Sequence, residues 1–203
     1  NVLGAILGDG WYAGYIGFFG RHQYGPYPLG LLAQLEVTYE DGTSDRVVTD
    51  GSWVGTAGPI IESDFQMGEI YDARRKLNGW NKPGYKVDDT RWQPVMTLQP
   101  EAGELVPEVG PPIRTTKTLR PVAMTSPEPG VLIFDMGQNM VGRVRLTVRG
   151  ARAGDCITVR HGEMLQEDGS LYTINLRRAR QMDTYVCRGD EVEVYEPHFT
   201  FHG

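Results

Sequence analysis

From Ala33 to Thr49 apolar residues recur at every second position, and that spacing dictates the local backbone. Ala33, Leu35, Val37 and Tyr39 alternate with Gln34, Glu36, Thr38 and Glu40; Asp41-Gly42 follows, and Arg46-Val47-Val48-Thr49 returns. A period of two belongs to a strand with one buried face, and Asp-Gly is a tight hairpin turn. The same grammar recurs downstream. Leu132-Ile133-Phe134 runs into the turn-forming Asp135-Met136-Gly137-Gln138-Asn139, and Val144, Leu146 and Val148 alternate with Arg143, Arg145, Thr147 and Arg149. The chain turns over 150–155, continues through Ile157 and Val159, turns again at Glu167-Asp168-Gly169, and resumes at 184–186 and at Val192, Val194 and Tyr195. With 26 glycines and 13 prolines among 203 residues, turns for many short strands are plentiful. Only the segment 176–182 hints at a short helix. The expected fold class is all-β.

Residues 1–7 read as a strand already under way. Gly8-Asp9-Gly10-Trp11-Tyr12 then forms a glycine-flanked turn presenting two adjacent aromatics. These can stack on a sugar ring or plug the end of a sandwich. The segment 16–29 is rich in Gly, Tyr and Pro, and includes Arg21-His22-Gln23-Tyr24-Gly25-Pro26-Tyr27-Pro28. A long irregular loop of this kind either binds or covers a sheet edge. Trp53 closes the return strand of the first hairpin. Around Asp88-Asp89-Thr90-Arg91-Trp92 an Asp can cap a single helical turn with Trp92 packed beneath. Between Leu98 and Pro121, prolines at 100, 107, 111, 112 and 121 mark a connector. The boundary falls near residue 115, giving units 1–114 and 115–203. Both termini lie inside strand-like sequence, so a longer parent protein is expected, with the first unit incomplete at its N-terminal end and the second cut at its C-terminal end.

The densest chemistry lies between Gly58 and Arg74, where Glu62, Asp64, Glu69 and Asp72 fall within eleven positions, interleaved with Phe65, Met67, Ile70 and Tyr71. Carboxyl groups so close require cations, either a bound metal or arginines such as Arg74 and Arg75. Asp64, Glu69 and Asp72 are the metal candidates. His161-Gly162-Glu163 also offers two ligand types, although residues two apart in a strand share only a face.

Several chemistries lack their residues. No Gly-x-Ser-x-Gly elbow, phosphate loop or dinucleotide fingerprint occurs. A net charge of −6 argues against a nucleic-acid partner, the only basic cluster being Arg177, Arg178 and Arg180. No run is long enough to span a membrane, and no signal peptide is visible. Cys156 and Cys187 have neither a disulfide framework nor metal-site spacing, and both are expected to be buried free thiols.

Three segments of the first unit resemble the N-terminal, non-catalytic region of bacterial α-L-rhamnosidases of glycoside hydrolase family 78. They are Leu7-Gly8-Asp9-Gly10-Trp11-Tyr12-Ala13-Gly14; Gly58-Pro59-Ile60 through Gly68-Glu69-Ile70-Tyr71-Asp72-Ala73-Arg74; and Asp89-Thr90-Arg91-Trp92. The second unit is similar to the β-sandwich that follows in those enzymes. Its markers are Phe134-Asp135-Met136-Gly137-Gln138-Asn139, His161-Gly162-Glu163-Met164-Leu165, Asn175-Leu176-Arg177, Asp183-Thr184-Tyr185 and Pro197-His198-Phe199-Thr200-Phe201-His202-Gly203.

The resemblance implies two β-sandwich units in tandem, a jelly roll and a concanavalin-like domain. It also implies an inverting catalytic (α/α)6 barrel elsewhere in the parent chain, so no residue here inherits a catalytic role and the chain alone is expected to be inactive. In some members the jelly roll binds L-rhamnose through calcium, which makes calcium the one cofactor implied. The corresponding sugar-site candidates are Trp11, Tyr12, His22, Gln23, Tyr24 and Pro28. L-rhamnose or a rhamnosylated glycoside, and the barrel itself, are the expected partners. Three roles stay open: an accessory region presenting terminal α-L-rhamnosyl residues to the barrel, a free-standing calcium-assisted rhamnose-binding module, and a structural docking scaffold. Cellular location is left open by the sequence.

Overall fold

A computed structural model describes residues 1–25, 28–88, 90–99 and 104–203. Pro26 and Tyr27 of the long loop, Asp89 of the capped turn, and Pro100 of the connector lie outside the described residues. The regular secondary structure of the described chain is almost entirely strand. Its one α-helical turn, α1, spans Gly10–Ala13, and short 3-10 turns span Ala73–Arg75 and Ile174–Leu176. In the first half the strands are β1 Gln34–Thr38, β2 Ser44–Val48, β3 Val54–Gly55, β4 Ile60–Asp64, β5 Gly68–Asp72 and β6 Gln93–Pro94. In the second half they are β7 Ala123–Thr125, β8 Ile133–Asp135, β9 Leu146–Arg149, β10 Cys156–Arg160, β11 Met164–Leu165, β12 Leu171–Tyr172, β13 Met182–Val186 and β14 Val192–Tyr195.

One sheet organises the molecule. Its order is β10-β13-β5-β4, so strands from both halves share a single ladder. β5 runs parallel to β13, pairing Ile70 with Thr184 and Tyr71 with Tyr185, while β4–β5 and β13–β10 are antiparallel. The remaining strands form two-stranded ribbons: β1-β2, β3-β6, β7-β8, β9-β14 and β11-β12. The described part of the connector, residues 104–120, forms no strand or helix and is largely exposed, with Val109 98% accessible.

The expected hairpin forms. Its register pairs Leu35 with Val47, and Gly42 takes φ +83° in the turn. Its anticipated buried face does not, because in the two strands Val37 alone is partly buried and every other residue is exposed. Period two marked the strands, but the register follows a three-residue loop, Tyr39 facing Thr43, and burial needs a second layer above the ribbon. Residues 1–7 are likewise not a strand: they find no ladder partner among the described residues. The short helical element sits at Ile174–Leu176, just upstream of the expected segment. Cys187 is buried, but Cys156 is exposed, since its outward position on the edge strand β10 has nothing packed on it.

The core gathers around three tyrosines. Tyr71 from β5, Tyr185 from β13 and Tyr195 from β14 pack with centroids 4.8–5.8 Å apart, joined by Ala73 and Cys187. Their hydroxyls need buried partners. Tyr185 donates to Glu193 Oε2 at 2.7 Å, and Tyr195 donates to Glu69 Oε1 at 3.2 Å. Glu69, Asp64 and Asp183 are among the largest fully buried side chains, so the interior is held by polar bonds as much as by apolar contact.

Candidate functional site

The acidic stretch folds into the β4–β5 hairpin, and strand geometry separates its carboxyl groups. Glu69 and Asp72 lie three apart in β5 and therefore point to opposite faces. Asp64 pairs opposite Gly68, four residues before Asp72, a separation of about 13 Å along the ladder. Each group already has donors. Asp64 Oδ1 accepts from Gln66 N and Met67 N, both at 2.8 Å, and Oδ2 accepts from Tyr15 N. Glu69 accepts from His198 N at 2.8 Å and Tyr195 Oη, with His198 Nδ1 3.2 Å away. Asp72 takes a two-pronged bond from Arg74, with both contacts at 2.9 Å. The Arg74 hydrogen bond outweighs partial burial and holds the Asp72 carboxyl below the usual range. Asp64, Glu69 and Asp72 thus do not converge, and their oxygens do not fit a calcium cage, which needs six to eight converging oxygen ligands. Glu62 meets Arg180 at 2.8 Å and Arg21 at 3.9 Å; its partners come from residues far along the chain rather than from Arg75.

The aromatic candidates sit on an outer face beside this hairpin. Asp9 and Ser63 exchange bonds, Asp9 N donating to Ser63 Oγ at 2.8 Å and Ser63 N to Asp9 Oδ2 at 2.9 Å, and this docks α1 on β4. Trp11 rests on Phe65, which in turn meets Phe201, with centroids 5.0 and 5.5 Å apart. Half of Trp11 nonetheless remains open, at 49% accessible. Plug and platform are therefore two sides of one ring. The loop is tied back to α1: Arg21 Nε donates to Ala13 O at 3.1 Å, and Arg21 reaches Asp9 at 3.1 Å. Gly25 approaches Tyr12 so closely that a Cβ there would lie 3.0 Å from its hydroxyl. Tyr24 is 69% accessible, Gln23 Nε2 donates to Arg21 O, and His22 holds φ +59°. Pro28 is exposed in a bend. Arg177 and Arg178 reach the same loop from the second half, Arg177 lying 5.4 Å over the Phe18 ring and Arg178 donating to Phe18 O. The nearby cleft lined by Leu7, Asp9, Leu29 and 60–63 holds about 110 Å³, well below the roughly 300 Å³ at which ligand pockets begin. A ligand on this face would lie on a surface.

Below the sheet lies a polar centre that the spacing alone does not reveal. β13 alternates its burial, which places Asp183 on the inward face with Tyr185. Asp183 Oδ1 accepts from Glu69 N at 2.8 Å and Thr200 Oγ1 at 3.0 Å, and His202 Nε2 lies 3.3 Å from it. Burial alone would raise this carboxyl, yet His161, His202 and the Glu69 N–H hold it well below the usual range. His161 stands at the end of β10 and stacks on His202 at 4.6 Å, while Glu163 is exposed and takes no part. The readable signal is a carboxylate at an inward position of an alternating strand. Its partners, at 161, 200 and 202, are joined to it only by the fold.

Two family models match consecutive parts of the chain: the alpha-L-rhamnosidase N-terminal domain over residues 1–117, and the bacterial alpha-L-rhamnosidase concanavalin-like domain over residues 125–203. The chain belongs to the bacterial α-L-rhamnosidase family. An alpha-L-rhamnosidase of Streptomyces avermitilis is 48% identical over 204 residues, covering all of this chain and 19% of that protein. The solved structure of a Streptomyces avermitilis alpha-L-rhamnosidase complexed with L-rhamnose superposes with a TM-score of 0.89 at 48% identity, over 96% of this chain and 19% of that one. The Dictyoglumus thermophilum alpha-L-rhamnosidase structure gives 0.87 at 40% identity, over 97% and 21%. This chain spans about a fifth of the length of these relatives. Among its described residues no helix is long and apolar enough to cross a membrane.

Proposed function

We propose that this chain is the non-catalytic accessory region of an α-L-rhamnosidase, supporting the presentation of terminal α-L-rhamnosyl residues to an (α/α)6 barrel carried elsewhere in the parent protein. The observation that carries this reading is the pair of adjacent family matches, 1–117 and 125–203, which together span only about a fifth of whole rhamnosidases. The geometry agrees. Inverting hydrolysis needs two carboxyl groups facing each other across roughly 6.5–9.5 Å of open space. In the acidic stretch Asp64 and Glu69 are fully buried and Asp72 is bound to Arg74.

A second reading, a rhamnose-binding module, is favoured by the exposed side chains of Trp11, Tyr12 and Tyr24. Aromatic faces stack on sugar C–H surfaces without needing a deep pocket. Calcium would assist only through ligands other than Asp64, Glu69 and Asp72 acting together. The test has two arms. Incubated with an aryl α-L-rhamnoside, the chain is expected to release no aglycone, and hydrolysis above background would overturn the accessory reading. Calorimetric titration with L-rhamnose, with calcium and then with chelator, separates module from scaffold. Saturable binding lost in Trp11→Ala or Tyr24→Ala supports the module, and no heat in either condition leaves a scaffold.

A further inference from the structure

Beyond any rhamnoside chemistry, one buried cluster is built for a different ligand. One ring nitrogen each of His161 and His202 and a carboxylate oxygen of Asp183 all lie within 4.8 Å of one another. We propose that His161, Asp183 and His202 form a binding site for a divalent transition metal of the zinc class. Asp183 is 0% exposed, yet its Oδ2 has no hydrogen-bond partner among the described residues, and neither has His161 Nε2. The two orphaned atoms face each other at 3.6 Å, too far for a good hydrogen bond, while His202 Nε2 stands 3.3 Å from Oδ1. Ligands at zinc bond lengths in a tetrahedron are about 3.4 Å apart, so this spacing suits an ion between them better than a direct bond.

The surroundings fit the same role. Glu69 N and Thr200 Oγ1 occupy Asp183 Oδ1 and fix the plane of the carboxylate, which leaves Oδ2 turned toward His161. Bonds of this kind orient metal ligands. Two imidazoles and one carboxylate select zinc and its transition-metal neighbours, whereas calcium and magnesium require oxygen-rich shells. The side chain of His161 remains 17% accessible, so it stands at the rim of the cluster although its Nε2 is buried. Bound there, the ion ties the end of β10 and the centre of β13 to the segment 197–203.

The test starts from the 203-residue chain, stripped with chelator and confirmed folded by circular dichroism. Zinc is titrated calorimetrically, and cobalt(II) is added separately to read coordination geometry from its visible absorption. One equivalent taken up, intense tetrahedral-type cobalt bands, and a zinc-dependent rise in Tm are expected. His161→Ala and Asp183→Asn should each weaken uptake by more than the roughly 10–100-fold that loss of a merely supporting residue costs. His161 is at the rim, so its variant carries the test if Asp183→Asn fails to fold. Cys156→Ser should keep full uptake. No uptake by the folded chain would overturn the proposal. Unchanged uptake in His161→Ala, or loss in Cys156→Ser, would overturn it equally.

Discussion

At the scale of single residues, stability rests on buried acids that have been given enough donors. Glu193 accepts from Tyr185 Oη, Arg188 N, Gly189 N and Asp190 N. Burial alone would raise its carboxyl, but these four donors more than offset that and hold it below the usual glutamate range. The Cys187 thiol beside it is pushed up, by burial first and by the Glu193 charge second. Because the folded value is depressed, the contribution of Glu193 is complete above the unfolded value of about 4.3 and is lost as pH falls through the folded value. Acid titration of Tm should therefore show a decline below about pH 4.3 that is shallower in Glu193→Gln; an identical slope would remove Glu193 from the account. Tyr195→Phe takes one donor from the buried Glu69 and should cost about 1.5 kcal/mol or more in denaturant unfolding.

Among the elements, the β5–β13 junction is the least forgiving. Gly68 opens β5 at φ +102°, and a Cβ there would lie 2.1 Å from Met182 O at the start of β13. Neither the dihedral nor the space admits a side chain, and the neighbour is backbone that belongs to the ladder. Gly68→Ala should destabilise the chain by at least about 2 kcal/mol. The β1–β2 ribbon is the opposite case. Leu35 and Val47 are cross-strand partners but remain over 40% accessible. Leu35→Ser should move the urea midpoint of the isolated chain by no more than about 0.5 kcal/mol in stability; a larger loss would mean that the ribbon packs on something.

For the whole molecule, two facts pull in different directions. The shared sheet and the tyrosine cluster bind residues 60–72 to residues 156–202. Calorimetry on the intact chain should accordingly show one cooperative transition, whereas two resolved transitions would mean that the halves fold apart. At the same time the chain exposes 15292 Å², against about 9,500 Å² for a compact monomer of its 22.6 kDa. Large apolar side chains are exposed along the connector, among them Val109, Ile113 and Leu105. Such surface favours association with further protein. Sedimentation of the isolated chain is expected to depend on concentration.

Alternation and turn chemistry carry local information, so the sequence by itself determined strands and family: β1–β2, β10, β13 and β14 fall where the pattern places them. It also held the acids of 62–72 and the aromatics of 11–24 as candidates. Which of those acids meet was not legible, because the faces of β5 and its parallel pairing to β13 depend on a strand more than a hundred residues away. Burial was decided by tertiary structure for the same reason. A period of two marks which residues share a face, while only the packing of a second layer decides whether that face is covered. Tertiary structure alone gathered His161 and His202, which share no spacing with Asp183, around its buried carboxylate.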